Sequence, residues 1–372
     1  MTRPADKRTR TAARIFRAVW RNPGVSRIDL AKMLDLDKST VTNQVAALLT
    51  RGLINETEEK EASKKGGRKP IELAVNHDYG RFVGIEIQLG FYEAVVVDMA
   101  GKIIGTKRGA IDTSNANFAD IVVGIIDDME KEYCQRSILL GVGVGTAGLV
   151  DSKRGRIRYS VPLEIDRPFD FSKAMAGRTK VPVFIENDAN CCAWGELAFN
   201  KKEELKDFLF ALVEYRQDRV SLTNYGGMGV GFGIVLGGRV HTGAHGVAGE
   251  FRSAFCNGKS DVQFSLPKEE LVRISEDRSV LEKAADELSR NMAMLINTMD
   301  FSQVFIGGDI EALALDLPML LRKRIEENWM YTSPKEVEVR YSSFQDKAVA
   351  YGAAGMVFER LLSERQLPGL ES

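Results

Sequence analysis

At 372 residues, with 44% hydrophobic and 28% charged side chains and 34 glycines, the chain is long enough for two or three separate cores and rich in tight turns. Four cysteines, Cys134, Cys191, Cys192 and Cys256, show no C-x-x-C spacing, which excludes a zinc ribbon or a disulfide framework and fits a reducing, cytoplasmic setting. No apolar run reaches the roughly 18 residues of a membrane span, and the basic start "MTRPADKRTRTAARIF" lacks a signal peptide's apolar stretch, so no membrane partner is expected. The net charge of −1 hides an asymmetry: residues 1–70 carry 16 Lys and Arg against 8 Asp and Glu, and the remainder 35 against 44. A basic head on an acidic body suits a duplex-binding module joined to a sensor or an enzyme.

In chain order, Ile15, Phe16, Val19 and Trp20 recur at helical spacing, which predicts an amphipathic helix over 11–22 ended by Asn22-Pro23-Gly24. Ser26 followed by Asp29 has the form of a capping box opening a second helix with Ile28, Ala31 and Leu34 on its apolar face. After the turn "DLDK", Asp37 is placed to cap a third helix, whose apolar face is Val41, Val45, Leu48 and Leu49. Ser39 and Asn43 then point away from that face, flanked by Lys38, Thr40 and Thr42. Short donors and acceptors near a helix N-terminus are the chemistry that reads base edges in a major groove. The segment "LINETEEKEASKKGGRKPIELAVN" alternates as two strands around a polar tip, where Arg68 and Lys69 are placed to meet phosphates or a narrow minor groove. Residues 1–77 thus read as a winged helix-turn-helix whose partner is double-stranded DNA.

From Arg81 onward, strands and glycine turns alternate with helical stretches, an α/β pattern. The hairpin "VGIEIQLGFYEAVVVDMAGKII" has the shape of a phosphate grip, "VPVFIENDANCCAWGELAF" is a strand, an Asn-Asp corner and a helix, and "GGMGVGFGIVLGGRVHTGAHGVAGEF" is a glycine-dense hairpin ending in a carboxylate. "FSQVFIGGDIEAL" is a strand meeting Gly307 and Gly308. "NMAMLINTM" places its methionines and leucine at helical spacing, as core filling.

These segments, in this order, resemble the ROK family, named for repressors, open reading frames and sugar kinases. The motifs are "ENDAN", "GGMGVGFGIVLGG" with "GAHGVAGE", and "IGGDI". The resemblance implies a winged helix-turn-helix followed by a two-lobed actin-like (ribonuclease-H-like) sugar-kinase fold, with a first lobe over 78–190 completed by a C-terminal helix over 345–372 and a second lobe over 191–344. It also implies that Asn187, Asp188 and Glu250 contact a sugar, Asp188 holding the position of the kinase's general base.

Three departures bear on activity. Glu86 holds the aspartate position of the phosphate hairpin, but Gln88 replaces the glycine of close approach ahead of Gly90. With Gly307 and Gly308, these residues form a degenerate nucleotide site, and a damaged phosphate cradle removes most of the rate of phosphoryl transfer. The Gly-His and cysteine cluster of zinc-holding relatives is replaced by "FRSAFCNGKS", where Cys256 alone cannot make a closed site, so no metal and no cofactor are expected. Arg252 and Ser253 stand where Gly-His would lie, and Arg252 at the cleft would favour an acidic sugar derivative. The reading is a repressor of carbohydrate-utilisation genes, a homodimer or higher homo-oligomer on a pseudo-palindromic operator, controlled by a sugar it does not phosphorylate. Two other readings stay open: an active ATP-dependent sugar kinase with a DNA-binding module, and a regulator controlled by a protein partner.

Overall fold

The computed structural model describes residues 7–59, 71–112, 118–161, 163–201, 205–215, 228–259, 262–312 and 315–363. The head contains α1 (Lys7–Arg21), β1 (Val25–Ser26), α2 (Arg27–Leu34), α3 (Lys38–Thr50), β2 (Ile54–Glu59) and β3 (Ile71–Val75), with the strands in the antiparallel order β1-β3-β2. Ser26 Oγ accepts from Asp29 N at 3.3 Å while the Asp29 carboxylate accepts from Ser26 N at 3.2 Å, closing the expected capping box. Ile15, Phe16, Val19, Leu30, Val41, Val45, Leu48 and Leu73 fill the centre of this module. Arg68, Lys69 and the rest of the wing tip lie outside the described residues.

The body repeats one sheet plan twice. The first sheet contains β4 (Gly80–Gln88), β5 (Phe91–Asp98), β6 (Ile103–Ala110), β7 (Ile138–Thr146) and β11 (Val183–Asn187) in the order β11-β7-β4-β5-β6. The second contains β12 (Phe208–Tyr215), β13 (Met228–Leu236), β14 (Arg239–Val240), β15 (Gln303–Gly307) and β16 (Glu338–Tyr341) in the order β14-β13-β12-β15-β16. In each, the first strand pairs antiparallel with the next and parallel with the fourth, and the fifth extends the parallel side. A small sheet of β8 (Leu149–Asp151), β9 (Arg156–Tyr159) and β10 (Phe169–Asp170) covers one end of the first. The helices are α4 (Phe118–Tyr133), α5 (Phe171–Met175), α6 (Asp188–Phe199), α7 (Lys268–Leu271), α8 (Arg278–Met299), α9 (Leu317–Glu327) and α10 (Ala348–Ser363).

Helices α6 and α10 cross between the two sheets. The crossing is close because small residues line it: a Cβ on Gly352 would sit 1.7 Å from Cys191 O, and one on Gly84 1.8 Å from Ala350 O. Cys191 and Cys192 are fully buried packing residues there, and burial pushes both thiols up. The methionine run of α8 departs from expectation: Met292 is buried, whereas Met294 and Met299 face solvent, because only one stripe of the helix meets the sheet.

Head and body share a continuous apolar cluster. Trp20, which the spacing assigns to the core of the head, packs at 5.4 Å from the Phe358 ring of α10 and donates its indole N–H to Met99 O at 2.8 Å. Arg17 beside it pairs with Glu359 of α10. Removing Glu359 from water raises its pKa, and the Arg17 charge opposes that rise.

Candidate functional site

On the head, Val41, Val45 and Leu48 hold α3 against the core, which turns Lys38, Ser39, Thr42 and Asn43 to solvent and leaves Thr40 half-buried. The side chains of Ser39 and Asn43 make no hydrogen bond among the described residues, so both keep their side-chain donors and acceptors for an incoming group. Thr42 Oγ1 donates to Lys38 O at 2.8 Å, which uses its proton and leaves it an acceptor and a methyl group. Asp37 stands at the N-cap of α3, but its side chain makes no capping bond, contrary to the expected cap.

In the body, a cavity of about 300 Å³ opens between the two sheets, lined by Glu86, Phe91, Arg108, Glu214, Gly308, Asp309 and Asp346 among others. The structure therefore brings Glu86 and Gly308 to one place, with Gly307 ending β15 beside it and Gly90 making the β4–β5 turn at φ +78°. Gln88 does not line the cavity. It is wholly buried, and its Nε2 donates to Glu86 Oε1 at 2.8 Å, so the carboxylate placed to orient a Mg²⁺ is held by an amide of its own strand. Thr146 Oγ1 pins the same strand by donating to Ile87 O at 3.1 Å. Among the described residues, four carboxylates face this space against one guanidinium, Arg108, which lies 4.5 Å above the Phe91 ring. A triphosphate entering it meets like charge.

The positions that the family resemblance assigns to a sugar gather at the start of α6. Asn187 caps the helix, its side chain accepting from Asn190 N at 3.2 Å and donating to Gly148 O at 3.1 Å. Asp188 is 7% exposed, and its Oδ1 accepts from Ala189 N at 2.8 Å. Glu250 bridges to Gly231, whose Cβ position lies 3.0 Å from the Ala189 methyl, which brings the Glu250 strand position beside Asp188. Glu250 is open to water on one side, yet the protein around it removes enough solvent to raise its pKa.

Arg252 and Ser253 sit less directly. The exposed Arg252 guanidinium donates to Gly258 O of its own loop at 2.5 Å. Ser253 is turned inward at 4% exposure, where its Oγ accepts from Asn291 Nδ2 at 3.1 Å and from Phe255 N at 3.2 Å, a structural network rather than an open contact. His241 and His245 are exposed loop residues, and among the described residues no group of three or more His, Cys, Asp or Glu is arranged around a common metal position.

Residues 82–252 match the ROK family and residues 8–69 the MarR family. The first part of the body is thus similar to ROK proteins and the head to MarR proteins. A xylose repressor of Caldicellulosiruptor bescii is 22% identical, with 94% of this chain and 95% of the relative covered. A xylose repressor of Bacillus spizizenii is 27% identical over 68% of this chain, and the match spans 61% of that relative's length. Among solved structures, a ROK family transcriptional regulator described as a homologue of the Escherichia coli MLC protein superposes with a TM-score of 0.75 at 20% identity, over 97% of this chain and 99% of that one. A ROK family glucokinase from Streptomyces griseus, in complex with glucose and AMPPNP, superposes at 0.56 and 22%, over 74% and 99%. At these identities the likeness to the two structures is one of fold.

Residue spacing alone missed Arg108, Glu214, Asp309 and Asp346. The duplicated sheet plan holds the signal for one of them: Glu214 stands near the end of β12, the counterpart in the second sheet of β4, which carries Glu86.

Proposed function

We propose that the protein is a sugar-responsive transcriptional repressor whose ROK domain binds a sugar or sugar derivative without phosphorylating it. Asn187, Asp188 and Glu250 are the effector contacts in this reading, with Arg252 at the rim. Lys38, Ser39, Thr40, Thr42 and Asn43, with Arg68 and Lys69 of the wing, meet the operator. The chain divides at about residues 77 and 190, the second division falling inside α6, and 345–372 returns to the first lobe. Two copies would present their heads to a pseudo-palindromic operator with half-sites spaced by about one helical turn or a multiple of it.

The observation that carries the reading is the Gln88–Glu86 hydrogen bond at the head of a cavity lined by four carboxylates. A kinase needs that carboxylate for its metal and needs positive charge for the phosphates. Repressor relatives matched over almost their whole length support the same direction. Helix α10 supplies the link between effector and operator. Its first turn, at Ala348 and Val349, lines the cavity, and Glu359 near its end holds Arg17 of the head. A sugar that prefers one degree of lobe closure changes operator affinity by its differential affinity for the two shapes, and about 1–3 kcal/mol gives roughly 5–150-fold.

The test is ATP consumption by the purified protein with Mg²⁺ and a panel of hexoses, pentoses and amino sugars. The reading expects no sugar-dependent ADP above a buffer control. Turnover with any sugar would replace the sensor by the kinase.

A further inference from the structure

A second groove between the lobes has the opposite charge from the cavity at Glu86. It holds about 420 Å³, and no described residue lines both. Lys153 reaches it from the β8–β9 turn, Arg239 and His241 from the β13–β14 hairpin, Arg360 from α10 and Trp194 from α6. Its contributors therefore come from both sheets and from both crossing helices.

The donors around this groove outnumber their acceptors. The side chains of Lys153, Arg239 and His241 are exposed and make no hydrogen bond or ion pair among the described residues, the backbone N–H of His241 donating to Ile234 O at 2.7 Å. Arg360 lies 5.0 Å from the Phe184 ring, makes 3.5 Å contacts to Ser152 O and acts on the buried Glu186 carboxylate through its charge. Trp194 Nε1 is buried without a hydrogen-bond acceptor. One carboxylate, Glu186, also lines the groove, but it is 1% exposed and already accepts from Asn187 N at 3.0 Å and Asn190 Nδ2 at 3.2 Å. An adjoining pocket of about 190 Å³ shares Ser152, Lys153, Thr242 and Gly243 and adds Arg154, Arg158 and His245. There Asp151 is paired with both arginines.

The geometry points to an anion-binding site in this groove for a small phosphate-bearing molecule, held by Lys153 from one lobe and Arg239 from the other, with Arg360 behind them. An arginine fork and a lysine point charge are the pair that suits a phosphate monoester, and the volume is that of a small-molecule site. A ligand held from both lobes favours one lobe separation, which gives the protein a second input distinct from Asn187, Asp188 and Glu250. This inference stands whether or not those three residues bind a sugar.

The test uses the full chain, titrated with inorganic phosphate and with glucose 6-phosphate at constant ionic strength held by chloride, and reads heat of binding and the emission of Trp194 against Trp194→Phe. Expected are saturable binding of both probes, weaker by at least tenfold in Lys153→Ala and in Arg239→Ala, and unchanged in Arg136→Ala, an exposed arginine outside the groove. Both groove substitutions are at exposed positions, so folding is preserved and thermal melts without ligand check it. Absence of saturable binding, binding indifferent to Lys153→Ala and Arg239→Ala, or equal binding of glucose without its phosphate would each overturn the site.

Discussion

The recognition helix and the kinase-type cavity treat their polar groups in opposite ways. On α3, the side chains of Ser39 and Asn43 face water without a hydrogen bond among the described residues, and their capacity is available to whatever docks. In the cavity, Glu86 is 4% exposed and held by Gln88, so the group a metal would need is satisfied from within. The difference teaches where each region's chemistry can go. Open donors and acceptors exchange water for a partner at little cost, whereas a buried, paired carboxylate must break a hydrogen bond before it can do anything else.

The largest effect should come from a buried acid of α6. Glu196 of α6 is buried with Ser342 Oγ donating to it at 2.9 Å, and loss of solvent pushes its pKa up to about 7. Between the ordinary value of 4.5 and about 7, the folded protein holds a proton that the unfolded chain has released. The stability that Glu196 contributes therefore falls as pH rises through that window, by about 3 kcal/mol. Glu196→Gln should remove this slope, and urea midpoints measured at pH 5 and pH 8 check it. A wild-type midpoint that rises over the same interval would show that Glu196 is not held protonated.

Next comes the cavity itself. Gln88→Ala deletes the donor to Glu86 inside a buried strand and should cost about 2 kcal/mol in denaturant unfolding. It should still leave the protein without kinase activity, because Glu214, Asp309 and Asp346 keep the cavity acidic. Appearance of sugar-dependent ADP in this variant would mean that Gln88 alone silences the site.

The smallest effect on stability, and the one confined to the head, is at α3. Asn43→Ala should leave thermal unfolding within about 0.5 kcal/mol of wild type, as exposed substitutions do. It should weaken operator binding by about tenfold, the size of one good base contact. Loss of stability without loss of operator affinity would reverse the assignment.

Much of this was legible in the residues, and the reasons differ by element. The head could be read because its signals are local: a capping box at Ser26 and Asp29, an apolar stripe through Val41, Val45 and Leu48, and a proline-glycine stop after α1. The role of Trp20 could not, since helical spacing shows that it is buried but not that its neighbour is Phe358, more than three hundred residues away. In the cavity, "IEIQLG" shows that Gln88 stands in the wrong place for a phosphate grip. Its bond to Glu86 required the strand, where residues two apart share a face. The acidic lining could not be read at all, because Glu214, Asp309 and Asp346 reach one space only through the second sheet and the return of the chain at α10. Ser253 shows the same limit from the other side: its position in the motif predicts a sugar contact, and its contacts with Asn291 across the fold turn it into the core.

The account's central claim is that the body senses a sugar and reports it to the head without consuming ATP. The direct measurement is operator affinity of the full-length protein, by fluorescence anisotropy on DNA selected from random duplexes, across a sugar panel with and without Mg-ATP. The account predicts that at least one sugar shifts affinity by 5–150-fold, that Mg-ATP adds nothing, and that the sugar is recovered unphosphorylated. A shift that requires Mg-ATP, or an operator affinity that no sugar changes, would contradict it.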